Sequence, residues 1–159
     1  MLPDESGRWL PNHFVTRAEL AAAFGRFCGI TDAYRAGEDT GYADVSPDDP
    51  DAPFLLWAAD AGLMIGTGGQ FAPDETLTRE QMATVLSRYL TLQGEAGSPT
   101  LTLAGVYSDA DAISGWAAEG VARCTELGLL QGSGGAFHPK GTLTRGQLAA
   151  ILQRLAGQD

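Results

Sequence analysis

The sequence predicts a mostly α-helical repeat protein, and three observations carry that prediction. The stretch Gly69-Gln70-Phe71-Ala72-Pro73-Asp74-Glu75-Thr76-Leu77-Thr78-Arg79-Glu80-Gln81 recurs without a gap 62 positions earlier, from Gly7 to Glu19, and 66 positions later, from Gly135 to Gln147. A fixed spacing of this size is the signature of a repeat architecture. Each copy leaves a Gly/Pro turn and enters a Thr followed three residues later by Glu or Gln, the reciprocal capping pattern of a helix start. Behind each cap, apolar residues recur at helical spacing.

At 159 residues with 44% hydrophobic content the chain is sized for one domain that buries a real core. Its net charge is −10 and its pI near 4.4. That balance argues against nucleic acid, which is held by a basic stripe, and against docking on anionic lipid. No apolar run approaches a membrane span. Met1-Leu2-Pro3-Asp4-Glu5-Ser6 carries neither the basic patch nor the apolar core of a secretion signal. Cys28 and Cys124 lie outside any Cys-x-x-Cys pattern and within apolar helical stretches. Buried free thiols are the simpler expectation, with a disulfide as the alternative.

Taken in order, residues 1–15 are a Pro- and Gly-punctuated lead-in with Trp9 and Phe14. Thr16 caps the first helix, Glu19 completes its box, Leu20, Ala23, Phe24 and Phe27 form its stripe, and Gly29 stops it. Residues 31–52 are an acidic connector anchored by Tyr42 and Val45. A second helix starts near Asp51-Ala52-Pro53 with an Asp cap and an early proline, and Gly62 closes it. Residues 63–71 are a loop or very short strand. Thr78 caps the third helix with Gln81 in the box, and Met82, Val85, Leu86 and Tyr89 form its buried stripe. Residues 93–105 are a flexible, exposed connector. The fourth helix runs from about Ser114 through Trp116, Ala117, Val121, Cys124 and Leu127 to Gly128. The last, from Thr144, buries Leu148, Ile151, Leu152 and Leu155.

Each full repeat is therefore a Tyr-x-Asp connector (Tyr42/Asp44, Tyr107/Asp109), a helix, a glycine turn and a Thr-Arg helix. The chain reads as one domain holding the second half of a first repeat (1–30), a second repeat (31–92) and a third (93–159). Nothing before Gly7 can supply the missing connector and helix, so a missing part of the first repeat from a longer chain is an expected partner.

Folding explains most of the repeated residues. Trp9, Phe71 and Phe137 are expected core plugs, and each Thr cap is worth about 1 kcal/mol. Arg17, Arg79 and Arg145 are harder to explain. Each falls at the first helical position, where the helix dipole disfavours a cation by about 0.3–1 kcal/mol. An arginine beside free helix-start amides makes a site for a carboxylate or phosphate. The alternative is a salt bridge to a neighbouring repeat, with Asp44 and Asp109 as the acids. His13 and His138 lie in turns at non-equivalent positions and are expected to be solvated. No catalytic constellation assembles, no cofactor is implied, and the acidic connector lacks the pattern of a calcium loop, so no metal is expected.

These residues resemble the S-layer homology repeat of bacterial cell-surface proteins. The third copy carries Tyr107-x-Asp109, Trp116-Ala117, Gly128-Leu129-Leu130-Gln131-Gly132, Phe137-His138-Pro139 and Leu143-Thr144-Arg145. The second carries Tyr42-Ala43-Asp44-Val45, Gly62-Leu63-Met64-Ile65-Gly66, Phe71-Ala72-Pro73 and Leu77-Thr78-Arg79. The first retains Val15-Thr16-Arg17-Ala18-Glu19. Trp57 falls later in its helix than the family tryptophan and is not the counterpart of Trp116.

The resemblance implies a mostly α, pseudo-threefold module with central Thr-Arg helices and Gly/Pro-rich loops. It implies a non-catalytic, extracellular anchor on a Gram-positive-type cell wall, whose inter-repeat grooves bind secondary cell-wall polysaccharide through a pyruvylated, anionic sugar. Arg17, Arg79 and Arg145 would contact that sugar, Trp116 would wall a groove, and Gly66 and Gly132 would admit the backbone close to it. Asp44 and Asp109 are possible groove acids. Gln81 and Gln147 replace the family's Glu, which keeps the cap and changes the groove charge, and Gly146 follows Arg145 where Ala is usual. A protein-interaction scaffold that keeps the fold without binding glycan is the rival reading.

Overall fold

The computed structural model describes residues 10–95 and 97–157. Five α-helices carry the fold among those residues: α1 Arg17–Phe27, α2 Ala52–Asp60, α3 Arg79–Leu92, α4 Gly115–Glu126 and α5 Arg145–Ala156. Two short 3-10 turns, Leu103–Gly105 and Ala110–Ala112, interrupt the connector before α4. None of these helices is long and apolar enough to cross a membrane.

The three Thr-capped starts form as their sequences predict. Thr16, Thr78 and Thr144 each accept a hydrogen bond from the amide of the third helical residue, and Glu19, Gln81 and Gln147 return one to the cap amide. The local sequence is sufficient there because both halves of the box sit within one turn. The second helix behaves differently. Asp51 occupies the cap position in a helical conformation and makes no side-chain cap bond. Its carboxylate lies instead 3.7 Å from Arg26, a partner 25 positions away that local sequence does not reveal. Ser114 likewise leads α4 without capping it through its own side chain, because its hydroxyl and amide are both bonded to Glu80.

The repeats close into a ring. Val15 N–H donates to Leu143 O (2.9 Å), Leu143 N–H to Leu77 O (2.8 Å), and Leu77 N–H to Val15 O (3.2 Å). Each of these residues directly precedes a threonine cap, so the ring gathers the starts of α1, α3 and α5 around one pseudo-threefold axis. Isolated bridges Phe14–Thr144, Thr16–Thr76 and Thr78–Thr142 flank it. Outside this centre, α2 packs on α1 and α4 packs on α3.

The core runs continuously through all the repeats. Phe71 and Phe137 are fully buried plugs, joined by Leu20, Phe24, Leu77, Met82, Leu86, Leu129, Leu143 and Leu148. Trp9, the expected third plug, lies outside the described residues. The α3 stripe is Met82, Val85 and Leu86, with Ala83 and Leu90 buried beside it and Tyr89 half-buried. Leu152 of the predicted α5 stripe is only half-buried. Cys28 and Cys124 are both free thiols. Burial pushes the Cys124 thiol up to about 12, so it behaves as an apolar side chain.

Candidate functional site

Each Thr-Arg helix presents its first amides to the next repeat. Arg17 N–H donates to Glu75 O (2.8 Å) and Ala18 N–H to Pro73 O (2.9 Å). Arg79 N–H donates to Gly141 O (2.9 Å) and Glu80 N–H to Pro139 O (3.1 Å). Arg145 N–H donates to His13 O (2.9 Å) and Gly146 N–H to Pro11 O (2.9 Å). The third amide goes to the threonine cap. The expectation of free helix-start amides beside the arginines is therefore corrected: backbone carbonyls satisfy them, as buried donors require.

The arginine side chains also do structural work. Arg17 donates from Nε to Phe71 O (2.8 Å) and from Nη2 to Ile65 O (3.1 Å). Arg79 repeats this with Phe137 O (2.8 Å) and Gln131 O (2.7 Å). Each guanidinium thereby spans the two ends of a glycine turn in the following repeat and lies over the buried phenylalanine, 4.9 Å from its ring centre. Burial pulls both guanidinium groups below their ordinary value, and nearby Tyr42, Asp44 and Glu75 for Arg17, or Tyr107 and Asp109 for Arg79, oppose the change. Both remain cationic across the physiological range.

Asp44 and Asp109 do not bridge to these arginines among the described residues. Asp44 accepts from Phe71 N–H (2.8 Å) and Ala72 N–H (2.7 Å), and Asp109 from Phe137 N–H (2.7 Å) and His138 N–H (2.8 Å). Those backbone bonds hold both carboxyls below the usual carboxylate range. They also pin Ala72 and His138 at φ +58°, a left-handed conformation unusual without glycine. These acids fasten the turn at their own repeat. They are not free groove acids.

Gly66 and Gly132 are required by close packing within the repeat. A Cβ on Gly66 would fall 2.4 Å from Tyr42 Cε1 and 2.5 Å from Gln70 O. On Gly132 it would fall 2.4 Å from Ala136 O and 2.7 Å from Tyr107 Cε1. The space that the missing side chains leave is taken by each repeat's own tyrosine, which packs on the buried Phe71 or Phe137.

Two equivalent grooves open between repeats. The first, of about 200 Å³, is lined by Arg17, Leu63–Ile65, Gln81, Thr84, Val85, Arg88 and Trp116. The second, of about 410 Å³, is lined by Arg79, Leu130–Ser133, His138, Gln147, Ile151 and Arg154. Sequence reasoning missed Arg88 and Arg154. The signal was present, because Arg26, Arg88 and Arg154 stand at the same 62- and 66-residue offsets as the Thr-Arg residues. Arg88 donates to Leu63 O (3.0 Å) and Arg154 to Leu129 O (3.3 Å), so two arginines grip each glycine turn from one groove. Trp116 is 62% exposed and stands at the first groove. His138, expected to be a solvated loop residue, is exposed and lines the second, its Nε2 3.2 Å from Ser133 O.

Arg145 differs from its two counterparts. It forms an ion pair with Glu19 across the first and third repeats. Gln81 and Gln147 occupy the positions equivalent to Glu19, so Arg17 and Arg79 meet a neutral amide in the same place. Each glutamine still caps its helix, with Oε1 accepting from Thr78 N–H (2.8 Å) or Thr144 N–H (3.1 Å). Among the described residues, Arg17, Arg79, Arg88 and Arg154 thus form no ion pair with a carboxylate, while Arg145 is paired with Glu19. Among the described residues no cluster of three or more His, Cys, Asp or Glu could hold a metal ion.

The S-layer homology domain profile matches residues 41–83 and 106–149. The chain is 34% identical over 146 residues to an amylopullulanase of Thermoanaerobacterium thermosulfurigenes, a match covering 91% of this chain and 8% of that protein. It is 31% identical over 158 residues to cell surface glycoprotein 1 of Acetivibrio thermocellus, covering 96% of this chain and 7% of the relative. A cellulosome-anchoring protein of the same organism is 27% identical over 155 residues, with 93% and 33% covered. The chain spans a third or less of the length of these curated relatives.

Proposed function

The chain belongs to the S-layer homology family, and from that premise we propose that it is a non-catalytic anchoring module of the bacterial cell surface. It holds the protein that carries it on the wall by seating an anionic secondary cell-wall polysaccharide in the two inter-repeat grooves. The observation that supports this most is the charge pattern at the three equivalent positions. Glu19 pairs with Arg145, whereas Gln81 and Gln147 stand at the equivalent positions beside Arg17 and Arg79, which form no ion pair among the described residues.

A pyruvyl ketal on a sugar carries one carboxylate at a rigid position, which suits a guanidinium fork held in place by its own backbone bonds. Arg17 and Arg79 spend two donors each on the turn, and each guanidinium has five in all. Arg88 and Arg154 add a second cation to each groove. Trp116 offers an exposed indole face to a sugar ring in the first groove. Overall net charge is −10, so binding to an anionic polymer is local and is not assisted by long-range attraction.

The test is a titration with purified wall polysaccharide before and after removal of its pyruvyl groups. Binding falls with the ketal carboxylate removed. It also falls at least tenfold in the double variant Gln81→Glu, Gln147→Glu, which keeps both capping boxes and restores a carboxylate opposite each arginine. Equal affinity for the two polymers would sink the assignment of the anion. Retention on sacculi stripped of polysaccharide would favour a protein partner in its place.

A further inference from the structure

Helix α4 is one turn longer than α2 at its start. It has 12 residues against 9, and the two helices end in register at Glu126 and Asp60. The extra turn, residues 115–117, lies where residues 49–51 of the preceding repeat are not helical. It carries Trp116, which is exposed at the first groove, where the same register places Pro50.

Little in the local sequence makes that turn form. Gly115 opens it, and glycine loses more backbone freedom on entering a helix than any other residue. Ser114 stands before it in the extended conformation a cap needs, yet its side chain makes no cap bond. Of the three residues in the turn, Ala117 is buried while Gly115 and Trp116 are exposed.

Glu80 supplies what the local sequence lacks. It is 2% exposed, the one buried carboxylate among the described residues. Its oxygens accept from the Ser114 amide (2.9 Å) and the Ser114 hydroxyl (3.0 Å), and Lys140 forms an ion pair with the same carboxylate. The Lys140 ammonium also reaches the Ser114 hydroxyl. A carboxylate from α3 thus caps α4 from outside, with its charge at the positive end of that helix. Burial works against the ionised form, but Lys140 and Ser114 outweigh it and hold the carboxyl below its usual range. In the α1/α2 interface the same register places Ala18 for Glu80, Asp48 for Ser114 and Asp74 for Lys140, a set that cannot form this clamp. The clamp and the tryptophan occur together, at one of two otherwise equivalent interfaces.

We propose that Glu80 is the positioning residue of the first groove: by fixing Ser114 it forms the extra turn of α4 and sets Trp116 as the wall beside Arg17 and Arg88. That role in binding rests on the glycan reading of the groove, whereas the placement of Trp116 stands apart from it. Trp116 meets the ligand, and Glu80 acts only through it. Further along α4, Val121 and Cys124 are fully buried with Ala117, and Cys124 Sγ lies 3.7 Å from Ala83 O. The body of the helix therefore stays on α3 without the clamp, and the effect of losing Glu80 is confined to the turn that bears Trp116.

Trp9→Phe with Trp57→Phe leaves Trp116 as the sole tryptophan of the 159-residue chain, and its fluorescence anisotropy reports how firmly the turn is held. Glu80→Ala suits the helix start, because Ala18 fills the equivalent place in α1. A freed Ser114 hydroxyl can cap α4 by itself, so Glu80→Ala with Ser114→Ala is the second variant. Expected are a drop in Trp116 anisotropy in this paired variant and its recovery in Glu80→Gln, which keeps an acceptor for the Ser114 amide. In titrations with purified pyruvylated wall polysaccharide, the paired variant binds about threefold more weakly than the parent chain. With Trp116→Ala already in place, the same two changes weaken binding by less than about 1.5-fold more, because they act through one contact. Unchanged anisotropy in both variants overturns the proposal, as does a threefold loss that persists without Trp116. A parent chain that binds the polysaccharide equally without its pyruvyl groups, or fails to bind it, refutes the glycan reading instead, and the anisotropy still decides the placement of Trp116.

Discussion

Replacing Arg79 by alanine removes two hydrogen bonds from a cation to the carbonyls of Phe137 and Gln131, together with the guanidinium over the Phe137 ring. Each charge-assisted bond is worth about 1.5–3 kcal/mol, and a cation over an aromatic face adds about 0.5–1 kcal/mol. The sum is an upper bound, because the groove is open and water can reach the freed carbonyls. A net loss of about 2–4 kcal/mol is expected. With an m-value of about 2 kcal/mol/M, the urea midpoint falls by about 1–2 M. Arg79→Lys keeps a charge but loses the fork, and about half that loss is expected. Arg145→Ala supplies the contrast within one molecule. Its side chain pairs with Glu19 at a partly exposed site, so its loss costs about 1 kcal/mol or less. If Arg79→Ala and Arg145→Ala shift the midpoint equally, the turn-clamp account of Arg79 is wrong.

Three further outcomes follow from the geometry. Gly132→Ala forces a Cβ into Ala136 O and the Tyr107 ring and is expected to cost about 2–3 kcal/mol, whereas Gly115→Ala, with open space around it at a helix start, is neutral or stabilising by up to about 1 kcal/mol; paired thermal melts check both. Asp44 and Asp109 have folded pKa values depressed by backbone amides, so their contribution is fully present above the unfolded carboxyl value near 3.9 and is lost as pH falls through the folded values. Tyrosine fluorescence and amide exchange of residues 70–73 and 136–139 are expected to report opening of the turns below about pH 4, and Asp109→Asn, which cannot ionise, is expected to remove that acid step from its own turn alone. Trp116→Ala leaves stability within about 0.5 kcal/mol, because the ring is already exposed, and lowers affinity for wall polysaccharide several-fold in the same titration that tests the Gln→Glu pair.

The parts of the fold legible in the sequence are those whose partners lie close by. Thr16 and Glu19, or Thr78 and Gln81, complete each other within one turn, so their boxes are visible in four letters. The buried stripes follow from helical periodicity, and Phe71 and Phe137 from repetition. Asp51 does not cap because its backbone is helical where a side-chain cap needs an extended residue, and its carboxylate lies near Arg26, distant in sequence. Arg17 and Arg79 have no local role in the sequence because the carbonyls they hold are 48 to 58 positions away. In sequence Asp44 and Asp109 are acids with an arginine as the obvious partner, and only the fold reveals the backbone amides that satisfy them. Arg88 and Arg154 were visible in register, yet a lone cation on a helix face carries no local signature of the turn it grips. The neutralisation of Arg145 by Glu19, and the absence of that carboxylate opposite Arg17 and Arg79, required both the repeat alignment and the ring.

That ring of backbone bonds also sets the order in which the molecule can be built. Val15 waits for Leu143 and Leu77, so the earliest-made helix of this stretch finishes folding only when nearly all of the stretch has been made. A linear solenoid can nucleate anywhere and grow one repeat at a time. A closed ring has no such intermediate end, and contacts spanning most of the chain slow the search for the native state. Unfolding of this chain is expected to be all-or-none across its repeats, with loss of the last helix felt at the first.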